Sequence, residues 1–321
     1  MSRVVIGADV GGTSTRVAIA APDGTVLGLA TEPGGNPNSV GVKVSADRIR
    51  TATQRAAERA GITQAEAIVI GMAGYNTALA AGPGFLTDCL PLQVASTPRI
   101  VADLAIAYAS GSPAPHGCVV IAGTGSGAAE VRHGEIVSRR GGWGWLLGDE
   151  GAGFWLGREA VRHALTEVER GAVRSDLTRQ VIRRLEIDPE HAMEGLLRAP
   201  YQHPPIRLAE LAPLVTDLVD SDPAAVTIAA RSAELLAALV LDLDSRPGLP
   251  IVLTGSVLGS AGAVRRAFGE RIAAALGSLV VPANTGLVGA LWLAIGRLDD
   301  APDPAVHRRL AASLAALSDA V

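Results

Sequence analysis

One pattern of strands and glycine turns occurs twice in this chain, and this repeat limits the fold more than any other feature. The first copy holds three strand-like runs: Arg3–Val10, Thr15–Ala20 and Thr25–Ala30. The second copy holds three runs of the same kind: Cys118–Ala122, Ala128–Arg132 and Glu135–Ser138. Gly12 and Gly123 follow the first strand of each copy, 111 residues apart, and Gly24 and Gly134 mark the second turn, 110 residues apart. The matched spacing predicts two duplicated halves.

Each half continues with alternating helices and strands, which is typical of an α/β fold. In the first half the predicted elements are a helix at Ser39–Arg59, strands at Ala67–Met72 and Arg99–Ala102, and a helix at Leu104–Ala109. In the second half they are a helix at Gly153–Val168, a strand at Pro250–Thr254, a helix at Val257–Leu276, a strand at Leu279–Val281 and a helix at Gly286–Gly296. Ser110–His116 has the composition of a linker, Asp299–Pro304 forms a second break, and Ala305–Leu317 is a final helix.

Composition excludes several classes of protein. The 321 residues have room for two domains, and 48% hydrophobic with 19% charged residues excludes a disordered chain. A net charge of −4 without a dense basic run argues against nucleic acid or an anionic membrane as the main partner. Lys43 is the one lysine, which excludes P-loop NTPase, protein kinase and pyridoxal chemistry that needs a lysine elsewhere.

Cysteine usage and hydropathy exclude further classes of protein. Cys89 and Cys118 form no CxxC motif, which excludes a zinc ribbon and thioredoxin chemistry. The longest apolar helical segment, Ala224–Leu243, carries charged residues within it and is not expected to span a membrane. We therefore expect a soluble, cytoplasmic protein.

Two glycine loops are the candidate phosphate-binding sites. Gly7–Gly12 has the glycine spacing of a P-loop but lacks its lysine and the helix that must follow. Gly123–Ala128 matches a dinucleotide fingerprint but runs into a hairpin instead of a helix. Each loop joins two antiparallel strands, and a pair of such tips can offer backbone N–H groups to a polyphosphate without lysine. The alternative is that both are ordinary glycine turns.

Several motifs resemble those of a known superfamily. Asp9-Val-Gly-Gly-Thr-Ser-Thr, Gly123-Thr-Gly-Ser-Gly and Leu253-Thr-Gly-Ser-Val resemble the two phosphate motifs and the adenosine motif of the sugar kinase/actin/Hsp70 superfamily. Three further motifs resemble the BadF/BadG/BcrA/BcrD-type ATPase family, in its branch of N-acetylglucosamine and bacterial glucosamine kinases. They are Gly71-Met-Ala-Gly, Val101-Ala-Asp103 and the block Gly141–Gly151.

The resemblance implies an α/β protein of two actin-like (ribonuclease H-like) domains with an active-site cleft between them. The N-terminal domain would comprise residues 1–112, completed by a C-terminal helix at 303–321, and the larger C-terminal domain residues 113–302. ATP and Mg²⁺ would be the cofactors and a small amino sugar the partner, while a homodimer stays open.

The resemblance also implies roles for individual residues. Asp103 would be the catalytic base and would also bind the sugar, and Asp9 would hold Mg²⁺ through water. The ATP-binding residues would be Asp9, Gly11, Gly12, Thr13, Thr124, Gly125, Gly255 and Ser256. The sugar-binding residues would be Asn36, Asp103, Gly142 and Asp149. The alternatives are helix capping for the two aspartates and ordinary loop chemistry for Asn36.

Three of the four tryptophans, Trp143, Trp145 and Trp155, lie close together in the chain. Stacking on a sugar is one role for them, but we expect at least two to pack in a core.

The predicted activity is ATP-dependent phosphorylation of the 6-hydroxyl of glucosamine, with N-acetylglucosamine and then glucose as alternatives. Animal N-acetylglucosamine kinases have an asparagine where this chain has Gly127, so a polar contact near the sugar is missing. Asp149 and Glu150 could instead pair with a cationic 2-amino group. Alternatives of other classes are an ATPase switch or activase that acts on a partner protein, and a nucleotide-binding regulator without activity.

Overall fold

The computed structural model describes residues 3–243, 246–298 and 302–318 and divides the chain into two compact units. The first unit takes in residues 3–116, 131–137 and the described residues from 283 onward. The second unit takes in residues 117–130 and the described residues of 138–282.

The elements up to residue 111 are β1 (Val5–Val10), β2 (Ser14–Ala20), β3 (Val26–Pro33), α1 (Pro37–Val40), α2 (Val42–Ala60), β4 (Gln64–Ala65), β5 (Ala67–Met72), α3 (Tyr75–Ala80), α4 (Pro83–Cys89), β6 (Gln93–Val94), β7 (Arg99–Ala102) and α5 (Asp103–Gly111). The elements after it are β8 (His116–Ala122), β9 (Ser126–Arg132), β10 (Glu135–Gly141), α6 (Gly153–Glu169), α7 (Asp176–Arg184), α8 (Ala192–Arg198), α9 (Ala212–Asp217), α10 (Pro223–Leu241), β11 (Ile251–Thr254), α11 (Ser256–Gly259), α12 (Ala263–Leu276), β12 (Val280–Pro282), α13 (Gly286–Ile295) and α14 (Pro304–Ser318). Short 3₁₀ segments lie at Pro189–His191, Ala199–Tyr201 and Pro205–Leu211.

The first unit is built on a five-stranded sheet in the order β3-β2-β1-β5-β7. Strand β1 is antiparallel to β2 and parallel to β5, and β5 is parallel to β7. On one face of β1, Ile6 packs in a core with Ile49 of α2, and on the other face Val5 packs in a core with Leu291 of α13. Burial on both faces explains why β1 is apolar up to Asp9.

The second unit repeats this arrangement. Its sheet has the order β10-β9-β8-β11-β12, and β11 is parallel to both β8 and β12. The core between this sheet and its helices includes Val120, Leu156, Leu236, Leu253 and Phe268. Because both sheets follow the same succession of strands, the duplication predicted from the glycine spacing is confirmed.

Helix α13 belongs to the first unit by its packing. Leu287 and Leu291 are buried in the core that contains Val5 and Val69, and a Cβ on Gly289 would overlap the carbonyl oxygen of Ile106. The predicted ranges, 1–112 with 303–321 and 113–302, would separate α13 from this core. These ranges stay a prediction of two actin-like domains, and part of the predicted break at Asp299–Pro304 lies outside the described residues.

Two predicted helices are each interrupted. The helix predicted at Ser39–Arg59 is divided into α1 and α2 at Gly41, whose φ of 81° ends the first helix. The helix predicted at Val257–Leu276 is divided into α11 and α12, because Ser260 is extended after Gly259. The short helices α3 and α4 were not predicted, since glycine and proline around residues 74–84 favour a loop.

Helix α10 is, among the described residues, the one helix long and apolar enough to cross a membrane by length and composition. A core helix of a soluble protein meets the same criteria. Ala225, Leu236 and Val240 of α10 are buried in the core of the second unit, which accounts for its apolar character.

Candidate active site

Asp9 lies near the carboxyl end of β1, next to Arg16 on β2. The two residues are partners in the antiparallel register, and Arg16 Nη2 donates to Asp9 Oδ2 at 2.5 Å. The start of α13 approaches from another side, since a Cβ on Gly286 would lie 2.8 Å from Asp9 Cγ. This glycine lets the helix N-terminus come close to the carboxylate.

The surroundings of Asp9 fit a magnesium ion that keeps most of its waters. The Asp9 side chain is 18% exposed, and it is the Oδ2 atom that pairs with Arg16. Thr285 Oγ1 and Arg16 Nε are buried without a hydrogen-bond partner in the described part of the chain. Within residues 3–243, 246–298 and 302–318 no cluster of three His, Cys, Asp or Glu residues could hold a metal. A single carboxylate with water is the arrangement that Mg²⁺ accepts.

The first glycine loop (Gly11–Thr13) is exposed and short. Gly11 N–H donates to Ser14 O at 2.9 Å, which closes the turn, and a Cβ on Gly12 would meet no atom within 4 Å. Its backbone is therefore open to a ligand, as phosphate binding requires.

Asn36 lies directly on this loop. Its backbone N–H donates to Gly11 O at 3.1 Å, and its side-chain Oδ1 accepts from Asn38 N–H at 2.9 Å to cap α1. A Cβ on Gly74 would lie 2.5 Å from Asn36 Oδ1, so this glycine of the Gly71–Gly74 motif makes room for the amide. The structure shows the capping role; the role in sugar binding stays a prediction.

Asp103 is the first residue of α5 and directly follows β7. Ala102 occupies the N-cap position, and Asp103 Oδ1 accepts from Leu104 N–H at 2.9 Å. The carboxylate is exposed at the positive end of the helix. Because β1, β5 and β7 are parallel, Asp9 and Asp103 both lie at the carboxyl edge of the first sheet.

The second glycine loop (Gly123–Gly127) connects β8 to β9 and is held by the start of α6. Gly153 N–H donates to Gly123 O at 2.7 Å, and Phe154 N–H donates to Thr124 O at 3.0 Å. The first amides of α6 thus fix the carbonyl side of the loop.

The Asp149 side chain holds the same loop by accepting a hydrogen bond from one of its backbone amides. Its Oδ1 accepts from Ser126 N–H at 3.0 Å, and a Cβ on Gly125 would lie 2.5 Å from its Oδ2. Asp149 is 8% exposed and has a φ of 57°, which is uncommon for a residue other than glycine. Asp149, which is predicted to bind the sugar, therefore contacts the loop that is predicted to bind phosphate.

Gly255 brings the predicted adenosine motif against this loop. Its φ is 85°, and a Cβ there would overlap the carbonyl oxygen of Ala122 at the end of β8. Ser256 N would lie 3.9 Å from a Cβ on Gly123, so Gly255 and Ser256 adjoin the second glycine loop.

Gly142 lies beside the same loop. Its backbone N–H donates to Ser126 O at 2.9 Å, and its φ is 72°. A Cβ on Gly127 would lie 3.3 Å from Gly142 N, so a larger residue at position 127 would need the neighbouring backbone to shift.

The expectation that at least two of the three clustered tryptophans pack in a core is wrong. Trp155 is buried in the core of the second unit. Trp143 is 70% exposed, and the exposed Trp145 packs against Phe154 with the two rings tilted by 57° and their centroids 5.5 Å apart. Both follow Gly142 in an irregular segment that no strand or helix covers.

The structure thus forms two groups of candidate residues. In the first unit Asp9, Gly11, Gly12, Thr13 and Asn36 adjoin one another, and in the second unit Thr124, Gly125, Gly142, Asp149, Gly255 and Ser256 do so. Sequence reasoning missed Arg16, Gly286 and the Glu150 carbonyl, which accepts from Ser126 Oγ at 2.9 Å. The antiparallel register of the first hairpin would have revealed the pairing of Arg16 with Asp9.

Two curated proteins are similar in sequence to this chain. The chain is 26% identical to the N-acetyl-D-glucosamine kinase of Dictyostelium discoideum over 78% of this chain and 84% of the relative. It is 29% identical to the N-acetylmuramic acid/N-acetylglucosamine kinase of Clostridium acetobutylicum over 52% of this chain and 55% of the relative.

A solved structure has the same fold. The crystal structure of a candidate N-acetylglucosamine kinase from Chromobacterium violaceum matches with a TM-score of 0.68 at 27% identity, over 91% of this chain and 99% of that one. The predicted fold class, α/β with two actin-like domains, is confirmed. The sequence profile of one family, described as the BadF/BadG/BcrA/BcrD ATPase family, matches residues 6–294. The protein therefore belongs to the BadF/BadG/BcrA/BcrD ATPase family.

Proposed function

We propose that this protein is an ATP-dependent amino-sugar kinase that phosphorylates the 6-hydroxyl of glucosamine to give glucosamine 6-phosphate. Its family and the kinase names of its relatives support the use of ATP and the phosphorylation of an amino sugar. The observation that carries the proposal is at Ser126. There the block Gly141–Gly151 is hydrogen-bonded to the second glycine loop three times, through Gly142 N–H, the Asp149 carboxylate and the Glu150 carbonyl.

In this proposal the glycine loops bind the phosphates of ATP. The exposed backbone of Gly12 and Thr13 and the Thr124–Gly125 turn supply N–H groups, while the Gly11 N–H closes the first loop by donating to Ser14 O. Gly255 with Ser256 borders the adenosine. Asp9 would hold Mg²⁺ through water, and the metal, when bound, would supply neutralisation of phosphate charge. Arg16 fixes the orientation of the Asp9 carboxylate.

Asp103 accepts the proton of the sugar 6-hydroxyl as that oxygen attacks the terminal phosphorus of ATP, the bond from this phosphorus to the bridging oxygen breaks, and ADP leaves. The exposed position of Asp103 leaves its carboxylate accessible to a sugar, and its bond to Leu104 N–H restricts its rotation. Because phosphoryl transfer needs little covalent help from the protein, positioning and charge neutralisation provide most of the rate.

Asn36, Gly142 and Asp149 contact the sugar in this proposal. We rank glucosamine first because Gly127 offers no polar side chain and because the Asp149 carboxylate lies against the second glycine loop. The neighbouring Glu150 contacts this loop through its backbone carbonyl, and its carboxylate lies 3.6 Å from Arg158. A cationic amino group would pair with a carboxylate, whereas a neutral acetamide would not. N-acetylglucosamine is the alternative substrate, and the names of both relatives favour it.

The test is kcat/KM for glucosamine, N-acetylglucosamine and glucose at one ATP concentration. We expect glucosamine to give the highest value. A preference of tenfold or more for N-acetylglucosamine would refute the carboxylate argument and leave the kinase assignment intact.

Other classes of function are separated by a simpler assay. An ATPase switch would hydrolyse ATP without any sugar, and an inactive regulator would not turn ATP over at all. The kinase names of the relatives do not favour an activase. We also propose that the enzyme works in the cytoplasm, where ATP is supplied. Light scattering would test whether it forms a homodimer.

A further inference from the structure

We infer that Asp149 is a positioning residue for the second glycine loop and thereby sets nucleotide affinity even when no sugar is bound. The inference rests on the proposed function, because it assumes that this loop binds the phosphates of ATP. It adds a second role to a residue for which sequence reasoning predicts only contact with the sugar.

The first line of support is the contact itself. Asp149 Oδ1 accepts from Ser126 N–H at 3.0 Å, and the three atoms nearest to a Cβ on Gly125 are the carboxyl atoms of Asp149, at 2.5 to 2.8 Å. The carboxylate therefore lies directly against the backbone of residues 125 and 126. Gly125 has no side chain at the point where the loop and the carboxylate meet.

The second line of support is the burial and conformation of Asp149. The residue is 8% exposed, and burying a carboxylate is costly unless it is hydrogen-bonded. Its φ of 57° is a strained conformation that neighbouring structure must maintain. Ala152 N–H donates to Asp149 O at 3.2 Å, and Ser232 Oγ donates to Gly151 O at 2.6 Å, so the turn is held on both sides.

The third line of support is the position of Ser126 between the two motifs. Ser126 N–H donates to Asp149, Ser126 Oγ donates to Glu150 O, and Ser126 O accepts from Gly142 N–H. Every polar group of this loop residue is thus bonded to the block 141–151. Loss of the Asp149 carboxylate would leave the buried Ser126 N–H unpaired and remove one of the hydrogen bonds that hold the loop.

The test compares two substitutions that separate the effect of losing the hydrogen-bond acceptor from the effect of backbone strain. Asp149→Asn keeps an oxygen acceptor and tolerates a positive φ, whereas Asp149→Gly tolerates the φ but removes the acceptor. Glu234→Gln, on the exposed side of α10, is the control for loss of one carboxylate from the second unit. The probe is the β,γ-imido analogue of ATP with magnesium, measured by calorimetry without sugar.

We expect Asp149→Gly to weaken analogue binding roughly tenfold, because it leaves the buried Ser126 N–H without its acceptor. Asp149→Asn and Glu234→Gln should bind within about threefold of the parent, a margin well under that loss. Equal binding by the glycine variant and the parent would overturn the inference. So would a loss in Asp149→Asn as large as in Asp149→Gly, because the acceptor would then not matter.

A second measurement uses the contact with Gly125. Gly125→Ala alone should weaken analogue binding, because its Cβ would collide with the Asp149 carboxylate. In the double variant with Asp149→Gly the added methyl group should cause no further loss. Losses that add in the double variant would count against the contact as the cause.

Measurements on the parent protein distinguish failure of the proposed function from failure of the inference about Asp149. If the parent binds no nucleotide and phosphorylates none of the sugars, the proposed function fails and the inference fails with it. If the parent does both and Asp149→Gly still binds the analogue normally, only the inference fails.

Discussion

The backbone N–H of Asn36 donates to the carbonyl oxygen of Gly11 at 3.1 Å, so a candidate sugar residue and a candidate phosphate residue share a hydrogen bond. The segment before Asn36 is packed just as closely, because a Cβ on Gly34 would overlap the carbonyl oxygen of Gly12. A displacement of one segment must therefore move the other.

Gly34→Ala should raise the KM for both ATP and sugar, because the added methyl group has to push the Gly11–Thr13 loop away. Overpacking of this kind costs about 1–3 kcal/mol when the backbone cannot relax. Gly84→Ala is the matched control, since a Cβ at that position would meet no atom within 4 Å. Steady-state kinetics with each substrate varied would check this, and unchanged KM values in Gly34→Ala would contradict it.

Asp103→Asn should leave sugar binding nearly intact and lower turnover by the ~10²–10⁴ typical of a lost general base. The amide oxygen can still accept from Leu104 N–H, so the start of α5 should keep its local hydrogen bond. Calorimetric sugar affinity and kcat, measured on the same preparation, separate binding from chemistry. A turnover within a few-fold of the parent would leave Asp103 with a helix-terminal role only.

Gly255→Ala should lose both stability and nucleotide affinity. Its φ of 85° is unfavourable for alanine, and the methyl group would also overlap the Ala122 carbonyl oxygen beside the second glycine loop. Gly277→Ala is the control, because its φ of 59° carries the same kind of backbone strain while a Cβ there would meet nothing within 4 Å. Denaturant titration should show a loss in both variants, and calorimetry a loss of analogue binding in Gly255→Ala alone. Equal nucleotide affinity in the two variants would refute this.

His307 should make stability depend on pH on the acid side of neutrality. Burial lowers the pKa of His307 from its ordinary 6.5, and its Nε2 lies 2.8 Å from Ala109 O, to which it donates. The unfolded chain therefore binds the proton more readily, so this contribution is present above pH 6.5 and is lost as pH falls through 6.5 toward the folded pKa.

The check is the free energy of unfolding between pH 5 and pH 7, a range set by the ordinary titration of histidine. His307→Gln can still donate to Ala109 O but does not titrate, so its stability should change less with pH than that of the parent. Identical slopes in the two proteins would show that another group controls the dependence.

The repeated strands and both glycine loops could be predicted from sequence because glycine turns between apolar runs are local signals. The placement of α13 could not, because nearly every residue from Leu287 to Ile295 is buried and such a helix has no polar face to orient it. The inward turn of Asp149 depends on Ser126 and Gly125, more than twenty residues earlier in the chain. The exposure of Trp143 likewise depends on which distant residues pack against it, and composition does not reveal this.

The packing of α13 has a consequence for the order of events during translation. Strands β1 and β5 leave the ribosome long before Leu287 and Leu291, which cover one face of them. The second unit lies almost entirely between these parts, so its core can close while the earlier sheet still has a bare apolar face. Ribosome-stalled chains that end before and after α13 should therefore differ in protease resistance within residues 3–116, and equal resistance would exclude this order. In the nascent chain, chaperones would thus have to cover the exposed apolar face of β1 and β5 until α13 has been synthesised.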